Sequence, residues 1–329
     1  KAGFQPPRLI EVWKELGVVG EGAVVAMFDA GVNYRHEDLT RNIWINTAEV
    51  PNNGKDDDGN GVVDDRYGFD FARMKAEVMP RGPVHGTLTS SIVAGDGTGG
   101  TVTGVAPRAR LMPLIGFGGP YVAGRVFQYA LENGADVVNM SFSIPGLGHT
   151  RGLWRLMAEQ ATCAGLVLVS GSGNFQQSAK VPVQIRIPEG IPCVVCVGGV
   201  TPKLKLFRMS SCGPVEWGSV KFYRDHPLPK GLTKPDVCAF PGPKIGLIDP
   251  RADSGYLKDS NRVAGNSLSS PHVAGICALI VSAAPEITPW RIREILERTA
   301  RDLPPRGKDP RPGAGLVNAY RAVREAVAR

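Results

Sequence analysis

Three widely separated residues carry the side chains that nucleophilic catalysis requires: a carboxylate, an imidazole and a hydroxyl. Asp29 ends an apolar segment, His85 opens a segment whose next apolar position is Leu88, and Ser267 begins a long apolar segment. In such a set the imidazole takes the hydroxyl proton during attack on a carbonyl, and the carboxylate orients the imidazole. Each residue alone also has an ordinary interpretation, since Asp29 could cap a turn and Ser267 could be a helix N-cap.

A fourth polar residue, Asn174, follows a glycine-rich turn in the run SGSGN. Its side-chain amide could donate a hydrogen bond to the negative oxygen that forms when a carbonyl is attacked. The position of Ser267 at a predicted helix start also favours this negative charge, because free N–H groups and the positive end of the helix dipole lie there. Asn174 taken alone is weak evidence, because asparagine and glycine are common in loops.

The acidic loop 46–67 carries the spacing of a calcium-binding loop. Counted from Asp56, oxygen-bearing side chains stand at positions one, three and five, with glycine at six and aspartate at nine. Tyr67 stands where the closing glutamate is expected, and so many carboxylates repel one another without a cation. The alternative is a solvated acidic turn. We expect a structural Ca²⁺ with ligands from Asp56, Asp58, Asn60, Val62, Asp64 and Asp65.

Composition excludes several functions for this 329-residue chain. The net charge is +7, but lysines and arginines are scattered without interleaved aromatic residues, which disfavours nucleic-acid binding. No apolar run reaches 18 residues, so no membrane span is expected. The six cysteines lie mostly in apolar runs, and we expect buried free thiols, with one disulfide left open. Cys193 and Cys196 would face opposite sides of a strand, which disfavours a metal or redox pair.

Short apolar segments alternate with helix-like segments along the chain. This alternation predicts an α/β fold: three layers, with a doubly wound, mostly parallel sheet and helices on both faces. We find no linker or repeat, so we expect one domain over 1–329, with an insert at about 46–67. Asp29 would then lie at the carboxyl end of a strand, where such sheets build sites. The predicted strands are 23–29, 110–115, 136–140, 166–170 and 194–197, and the predicted helices are 122–133, 150–164, 267–284, 289–301 and 317–327.

Nine motifs in order resemble those of the subtilases, the subtilisin-like serine proteases of peptidase family S8. The order Asp, His, Ser is also that of subtilisin and differs from that of chymotrypsin and the α/β-hydrolases. The resemblance covers nearly the whole chain. The motifs are VAMFDAGV (25–32), HEDL (36–39), HGT (85–87), GVAPRARL (104–111), GADVVNMSF (134–142), SGSGN (170–174), KPDV (234–237), GNSLSSPHVAG (265–275) and GAGLVNA (313–319).

The resemblance implies a serine endopeptidase that works through an acyl-enzyme. Ser267 would be the nucleophile, His85 the general base and Asp29 its orienting partner, while Asn174 and the Ser267 N–H would bind the oxyanion. It also implies a secreted, calcium-stabilised monomer that acts on polypeptides and folds with an N-terminal pro-segment. The segment implied to bind the substrate backbone and to wall the first specificity pocket comprises Ser141, Phe142, Ser143 and Gly173.

The chain also departs from the usual family motifs. Ala30 stands where threonine is usual, Leu88 replaces a second histidine, Ser143 replaces a glycine, and GNSLS stands where GTSMA is usual. None of these changes removes a triad atom, although Ser143 would narrow the pocket. Two alternatives therefore stay open: a subtilase scaffold that binds without catalysis, and a specialised processing or peptide-ligating enzyme.

Overall fold

A computed structural model describes residues 8–117, 119–144, 150–242, 246–260 and 263–328. Seven strands form one sheet, and every pair of neighbouring strands in it is parallel. They are β1 (Val24–Phe28), β2 (Phe69–Asp70), β3 (Arg110–Ile115), β4 (Val137–Met140), β5 (Val167–Gly171), β6 (Val195–Gly199) and β7 (Val237–Ala239). Their order across the sheet is β2-β3-β1-β4-β5-β6-β7.

Helices cover both faces of this sheet. They are α1 (Leu9–Glu15), α2 (His85–Ala94), α3 (Pro120–Glu132), α4 (Arg151–Cys163), α5 (Asn266–Ala283), α6 (Pro289–Thr299) and α7 (Ala319–Val327), with a short 3₁₀ turn at Thr40–Asn42. Successive side chains of β1 point to opposite faces of the sheet and so belong to two separate apolar cores. Val25 and Met27 pack with residues of α1, α2, α5, α6 and α7, whereas Ala26 and Phe28 pack with residues of α3 and α4. The predicted three-layer, doubly wound sheet is confirmed.

The topology explains where a site can form. After β1 the chain adds β2 and β3 on one side of β1. It then crosses to the other side of β1 to form β4, so the winding direction reverses at β1. Such a reversal opens a crevice at the carboxyl ends of the neighbouring strands. Asp29 follows β1, Ser141 follows β4, and the turn before Asn174 follows β5. Three predicted site residues therefore lie just beyond the carboxyl ends of the neighbouring strands β1, β4 and β5.

The predicted strands and helices are all present, with ends that differ by two residues at most. Thr288 caps α6, since its side chain accepts a hydrogen bond from the Arg291 amide at 3.4 Å. Sequence analysis did not predict α1, β2 or β7, which are only seven, two and three residues long. The six cysteines are free, with Cys163 exposed, Cys193 half-buried and the others buried. Among the described helices, none combines the length and apolarity needed to cross a membrane.

Candidate active site

Asp29 and His85 form a hydrogen-bonded pair. Asp29 directly follows β1, and His85 is the first residue of α2. The Nδ1 atom of His85 lies 2.9 Å from each carboxylate oxygen of the buried Asp29. The Asp29 carboxylate also accepts hydrogen bonds from the Ala30 amide at 2.7 Å and from Thr89 Oγ1 at 3.2 Å. These bonds fix the carboxylate, and since Ala30 uses its backbone, the missing threonine side chain is not needed for them.

The protonation of His85 is set by two opposing effects. Burial disfavours the charged imidazolium and would lower the pKa of His85. The charge of Asp29 and its hydrogen bond favour the imidazolium, and they outweigh burial, so the pKa of His85 lies above its ordinary value. A base with a raised pKa accepts a proton more readily.

Ser267 is the second residue of α5 and is half-buried. The N-cap position belongs to Gly265, so Ser267 is not the helix N-cap. Its N–H group lies in the first turn, where helical N–H groups have no intrahelical acceptor. Both the hydroxyl and the backbone N–H of Ser267 are therefore left for other partners.

Helices α2 and α5 pack against each other near their starts. Leu88 and Ile92 of α2 and Leu268 of α5 belong to one small apolar cluster. This contact brings the first turns of the two helices, with His85 and Ser267, to the same end of the fold. Within the described residues, hydrogen bonds join His85 to Asp29 and none joins it to Ser267.

The carbonyl of Ser267 is held from a neighbouring strand end. Pro271 lies four residues further along α5 and has no N–H, so the usual helical bond to the Ser267 carbonyl cannot form. Ser141 Oγ donates to this carbonyl instead, at 3.0 Å. The same hydroxyl accepts from Asn139 Nδ2 at 2.9 Å and lies 2.8 Å from Ser270 Oγ. The side chain of Ser141 therefore positions the backbone of Ser267.

Asn174 is tied to the start of α5. Its Oδ1 atom accepts a hydrogen bond from the Asn266 amide at 2.9 Å, which leaves its Nδ2 group to donate elsewhere. The side chain of Asn266 is fully buried and donates from Nδ2 to Ser172 Oγ, to the Gly173 carbonyl and to Ser210 Oγ, over 2.7–3.0 Å. Asn266, which sequence analysis did not single out, thus locks the Asn174 loop to the helix that carries Ser267.

One cavity joins most of the predicted substrate and oxyanion residues. Its volume is about 170 Å³. Gly173 has φ +88, a backbone conformation that suits glycine, and a Cβ atom there would lie 2.9 Å from the Phe175 ring. The cavity is lined by Ser141, Phe142, Ser143, Gly171, Gly173, Asn174, Phe175 and Ser267.

Two residues of the cavity wall, Phe142 and Ser143, also contact buried residues of the protein interior. The Phe142 ring packs edge-on against Phe28 at 4.9 Å and against Phe117 at 5.0 Å, so it belongs both to the wall and to the core margin. The Ser143 hydroxyl donates to Glu189, which also accepts from the Arg186 amide at 3.1 Å. Ser143 therefore turns toward this acid.

Glu189 is a functional candidate that sequence analysis missed. It is fully buried, and its Oε2 atom has no hydrogen-bond partner among the described residues. Burial raises the pKa of Glu189 to about 7, against the opposing effect of the bond from Ser143. No local motif marks Glu189, because only the folded chain brings it under Ser143.

Three carboxylates gather in the acidic loop. Glu49, Asp58 and Asp65 each place one oxygen so that the three atoms lie within 4.8 Å of one another. Glu49 and Asp65 are buried, which is costly for anions without a cation nearby. The Nδ2 groups of Asn46 and Asn60 donate to both Asp58 and Asp65. The chemistry of this set, hard oxygen donors in excess negative charge, fits Ca²⁺.

Two other predicted metal ligands, Asp56 and Asp64, hydrogen-bond to backbone amides of the loop. Asp56 accepts from the amides of Gly59, Asn60 and Gly61, and Asp64 accepts from those of Asn53 and Gly54, so both carboxylates brace the loop. Sequence analysis missed Glu49, which lies before the motif. Its oxygens accept from three loop amides, those of Asp57, Asp58 and Asp64.

The other described histidines, His36, His226 and His272, lie outside the site. His272 is buried in α5 and its Nδ1 lies 2.7 Å from the Leu268 carbonyl, and burial lowers the pKa of His272 to about 4. His36 is also buried, with Nε2 at 3.1 Å from the Gly255 carbonyl. His226 lies beside Asp225 at 3.6 Å, and His149 falls outside the described residues.

Comparison with known proteins gives a consistent result. A family model described as the subtilase family matches residues 20–315. The chain is 26% identical to fervidolysin of Fervidobacterium pennivorans over 95% of this chain and 42% of that protein. It is 25% identical to subtilisin-like protease 1 of Plasmodium vivax over 92% of this chain and 47% of that protein. It is 27% identical to subtilisin E of Bacillus subtilis over 93% of this chain and 67% of that protein.

A solved structure shows the same fold. The crystal structure of fervidolysin, described there as a keratinolytic enzyme related to subtilisin, superposes with a TM-score of 0.69 at 23% identity, and the match covers 95% of this chain and 44% of that one. The chain thus spans about half the length of several curated relatives that it matches.

Proposed function

Because the chain belongs to the subtilase family, we propose that it is a serine endopeptidase acting through Ser267, His85 and Asp29. The observation that carries this proposal is that Ser267 and Asn174 line one cavity, while the helix packed beside Ser267 begins with His85, which is hydrogen-bonded to Asp29. Substrate binding would bring the Ser267 hydroxyl and His85 Nε2 into hydrogen bonding, since such bonds often tighten only in the complex.

The first chemical step is attack of Ser267 Oγ on the scissile carbonyl. His85 Nε2 takes the hydroxyl proton, and the Asp29 carboxylate stabilises the imidazolium that results. The new oxyanion would accept hydrogen bonds from the Ser267 N–H and from Asn174 Nδ2, which is left available because Oδ1 holds the Asn266 amide. His85 then gives its proton to the leaving amine, and water hydrolyses the acyl-enzyme by the reverse sequence.

The substrate would bind in extended form along the segment that follows β4. Backbone groups of Ser141, Phe142 and Ser143 on one side, and of Gly173 on the other, would pair with the substrate backbone by strand addition. The small cavity between them would take one side chain of the substrate. Ser143, whose hydroxyl donates to the buried Glu189 behind it, adds a polar group to the wall of this cavity.

The acidic loop would hold a structural Ca²⁺ through Glu49, Asp58 and Asp65. Bound there, the ion would neutralise the mutual repulsion of these carboxylates and stabilise the insert between Asp29 and His85. Asp56, Asn60, Val62 and Asp64, predicted as further ligands, stay predictions. We also propose a secreted monomer that folds with a pro-segment, as the family resemblance implies.

A mixed peptide library tests the proposal and its rivals. The parent chain is incubated with the library, and product masses are recorded beside those from the Ser267→Ala variant. Hydrolysis products from the parent alone are expected. Joined peptides would favour the ligating enzyme instead. Unchanged masses with the parent chain would contradict peptidase activity and favour a binding scaffold.

A further inference from the structure

A second, larger concavity lies next to the proposed substrate cleft, by which we mean the segment after β4 together with the cavity beside Ser267. We define the basic groove as the hollow of about 1010 Å³ between the start of α4, the segment 182–187 and the segment 216–223. Its volume is at the upper end of the range for ligand-binding cavities. Four large apolar side chains in its wall are strongly exposed: Leu153 (45%), Leu156 (47%), Val183 (60%) and Phe222 (86%). Clustered exposed apolar side chains of this kind mark interaction sites.

The charged residues of the basic groove are unbalanced. Arg151, Arg186 and Lys221 line it, whereas Glu216 is the only carboxylate among its described lining residues. Glu216 is already engaged, because it accepts hydrogen bonds of 2.7 Å from both the amide and the hydroxyl of Ser219. The groove therefore presents an apolar floor with an excess of positive charge, which complements a partner that is both apolar and acidic.

The wall of the groove is fixed in place. Arg155 forms two 2.7 Å bonds to the Asp225 carboxylate and one 2.6 Å bond to Glu159, and so clamps the segment after the groove onto α4. Trp217 is fully buried and donates from Nε1 to the Gly190 carbonyl at 2.9 Å. Arg151 stacks on this ring at 4.2 Å. A preformed wall of this kind lowers the entropic cost of binding.

The groove adjoins the cavity beside Ser267. Ile144, which lines the groove, directly follows Ser143 of the cleft, and its amide donates to the Ile187 carbonyl at 2.8 Å. Arg186 lines the groove while its guanidinium lies 3.5 Å from the centre of the Phe175 ring, which lines the cavity beside Ser267. A peptide that leaves the cleft past Ser143 or Phe175 thus meets the groove next.

We propose that the basic groove binds a segment of the polypeptide substrate that carries acidic residues among apolar ones, outside the bond that is cleaved. The inference rests on the proposed function for the identity of its occupant as a substrate. Apolar side chains would pack on Leu153, Leu156 and Phe222, and carboxylates would face Lys221 and Arg186.

Direct binding tests this without catalysis. The probes are two fluorescein-labelled twelve-residue peptides, one alternating leucine and glutamate and the other leucine and lysine. Their anisotropy is titrated with the full chain carrying Ser267→Ala. The acidic peptide should bind about fivefold more tightly or better, a preference that falls as salt is raised. Lys221→Glu should abolish or reverse the preference, and Phe222→Ser should weaken both peptides.

A matched control removes the effect of net charge. Lys14→Glu makes the same change of charge at an exposed position of α1, which packs on the opposite face of the sheet from α4, and should leave the preference unchanged. Equal binding of the two peptides, or an equal effect of Lys14→Glu and Lys221→Glu, would overturn the groove assignment. A parent chain that cleaves short neutral peptides yet shows no acidic preference overturns this inference alone. A chain that binds the acidic peptide but cleaves none supports the groove and overturns the proposed peptidase.

Discussion

At the residue level, we assign two roles to the side-chain amide of Asn174, one observed and one proposed. Oδ1 holds the Asn266 amide at 2.9 Å, and Nδ2 would donate to the oxyanion. Two substitutions separate the tasks. Asn174→Asp keeps an oxygen for the Asn266 amide but removes the donor, whereas Asn174→Leu removes both.

We predict that both substitutions lower kcat by about 10²–10³ or more, with little change in KM, because the donor acts in the transition state. Steady-state kinetics on one peptide substrate measures this. If Asn174 served only to hold Asn266, Asn174→Asp would keep nearly full activity, and that result would rule out the oxyanion role.

We predict that His85 sets the pH dependence of the proposed activity. Only the neutral imidazole can act as a base, so kcat/KM must fall as pH drops through the pKa of His85. Burial lowers this pKa and Asp29 raises it by more, so we predict an acidic limb above the pH expected for a free imidazole.

Asp29→Asn should shift this limb to lower pH, because the charge that raises the pKa is gone, and should reduce kcat on the order of 10⁴-fold. The pH profiles of kcat/KM for both chains provide the measurement. A parent limb at or below the free-imidazole value, or no shift in the variant, would contradict the pairing.

Not every residue of the site could be predicted from the sequence. Four residues could be proposed from the sequence because each lies in a recognisable local motif: Asp29, His85, Asn174 and Ser267. Ser141 was expected to meet substrate, yet its hydroxyl supports the Ser267 carbonyl that Pro271 leaves free. This role depends on a contact across 126 positions of the chain, which no local pattern contains.

At the scale of elements, the acidic loop shows the same limit. The spacing from Asp56 predicted the region of the cluster, but Asp56 itself braces the loop while Glu49 joins Asp58 and Asp65. Backbone turns within the loop decide which carboxylates converge, and spacing alone does not encode them. The strands β2 and β7 were missed for a different reason, since two or three residues cannot display a period.

Calcium removal tests the loop as an element. In a Ser267→Ala chain, which avoids self-cleavage, a calcium chelator should lower Tm, and added Ca²⁺ should restore it better than Mg²⁺. An ion at 100 times its Kd stabilises by about 2.7 kcal/mol. Glu49→Gln should reduce the calcium response, whereas Glu15→Gln, at an exposed position of α1, should not. A Tm that does not respond to chelator or Ca²⁺ would contradict the site.

At the scale of the whole molecule, one buried ion cluster joins distant parts of the chain. Asp236, just before β7, accepts from Lys234 Nζ at 2.6 Å, from Arg293 of α6 at 2.8 Å and from Lys308 Nζ at 3.1 Å. Its carboxylate also accepts from the Cys196 amide of β6 at 2.8 Å. Burial would raise the pKa of Asp236, but the three cations outweigh it and hold this pKa well below its usual range.

Asp236→Asn should therefore destabilise the fold by about 3–5 kcal/mol, because it leaves the fully buried Lys234 without its carboxylate partner, whereas Arg293 and Lys308 keep Glu297. The stabilisation from Asp236 is present at neutral pH and is lost only as pH falls through its lowered pKa. Urea unfolding near neutral pH measures the change. Glu11→Gln, which breaks the exposed pair with Arg8, is the control and should have no measurable effect. An equally small effect of both changes would contradict the importance of the cluster.

We propose that Ser267 is a nucleophile activated by His85. Mass spectrometry after treatment with a fluorophosphonate tests this role, because the reagent reports attack by the hydroxyl without needing a known substrate. The parent chain should gain one adduct, located on Ser267, and His85→Ala should slow its formation by at least about 10³-fold. A folded parent chain that gains no adduct, or an adduct that forms equally fast in His85→Ala, would contradict the claim.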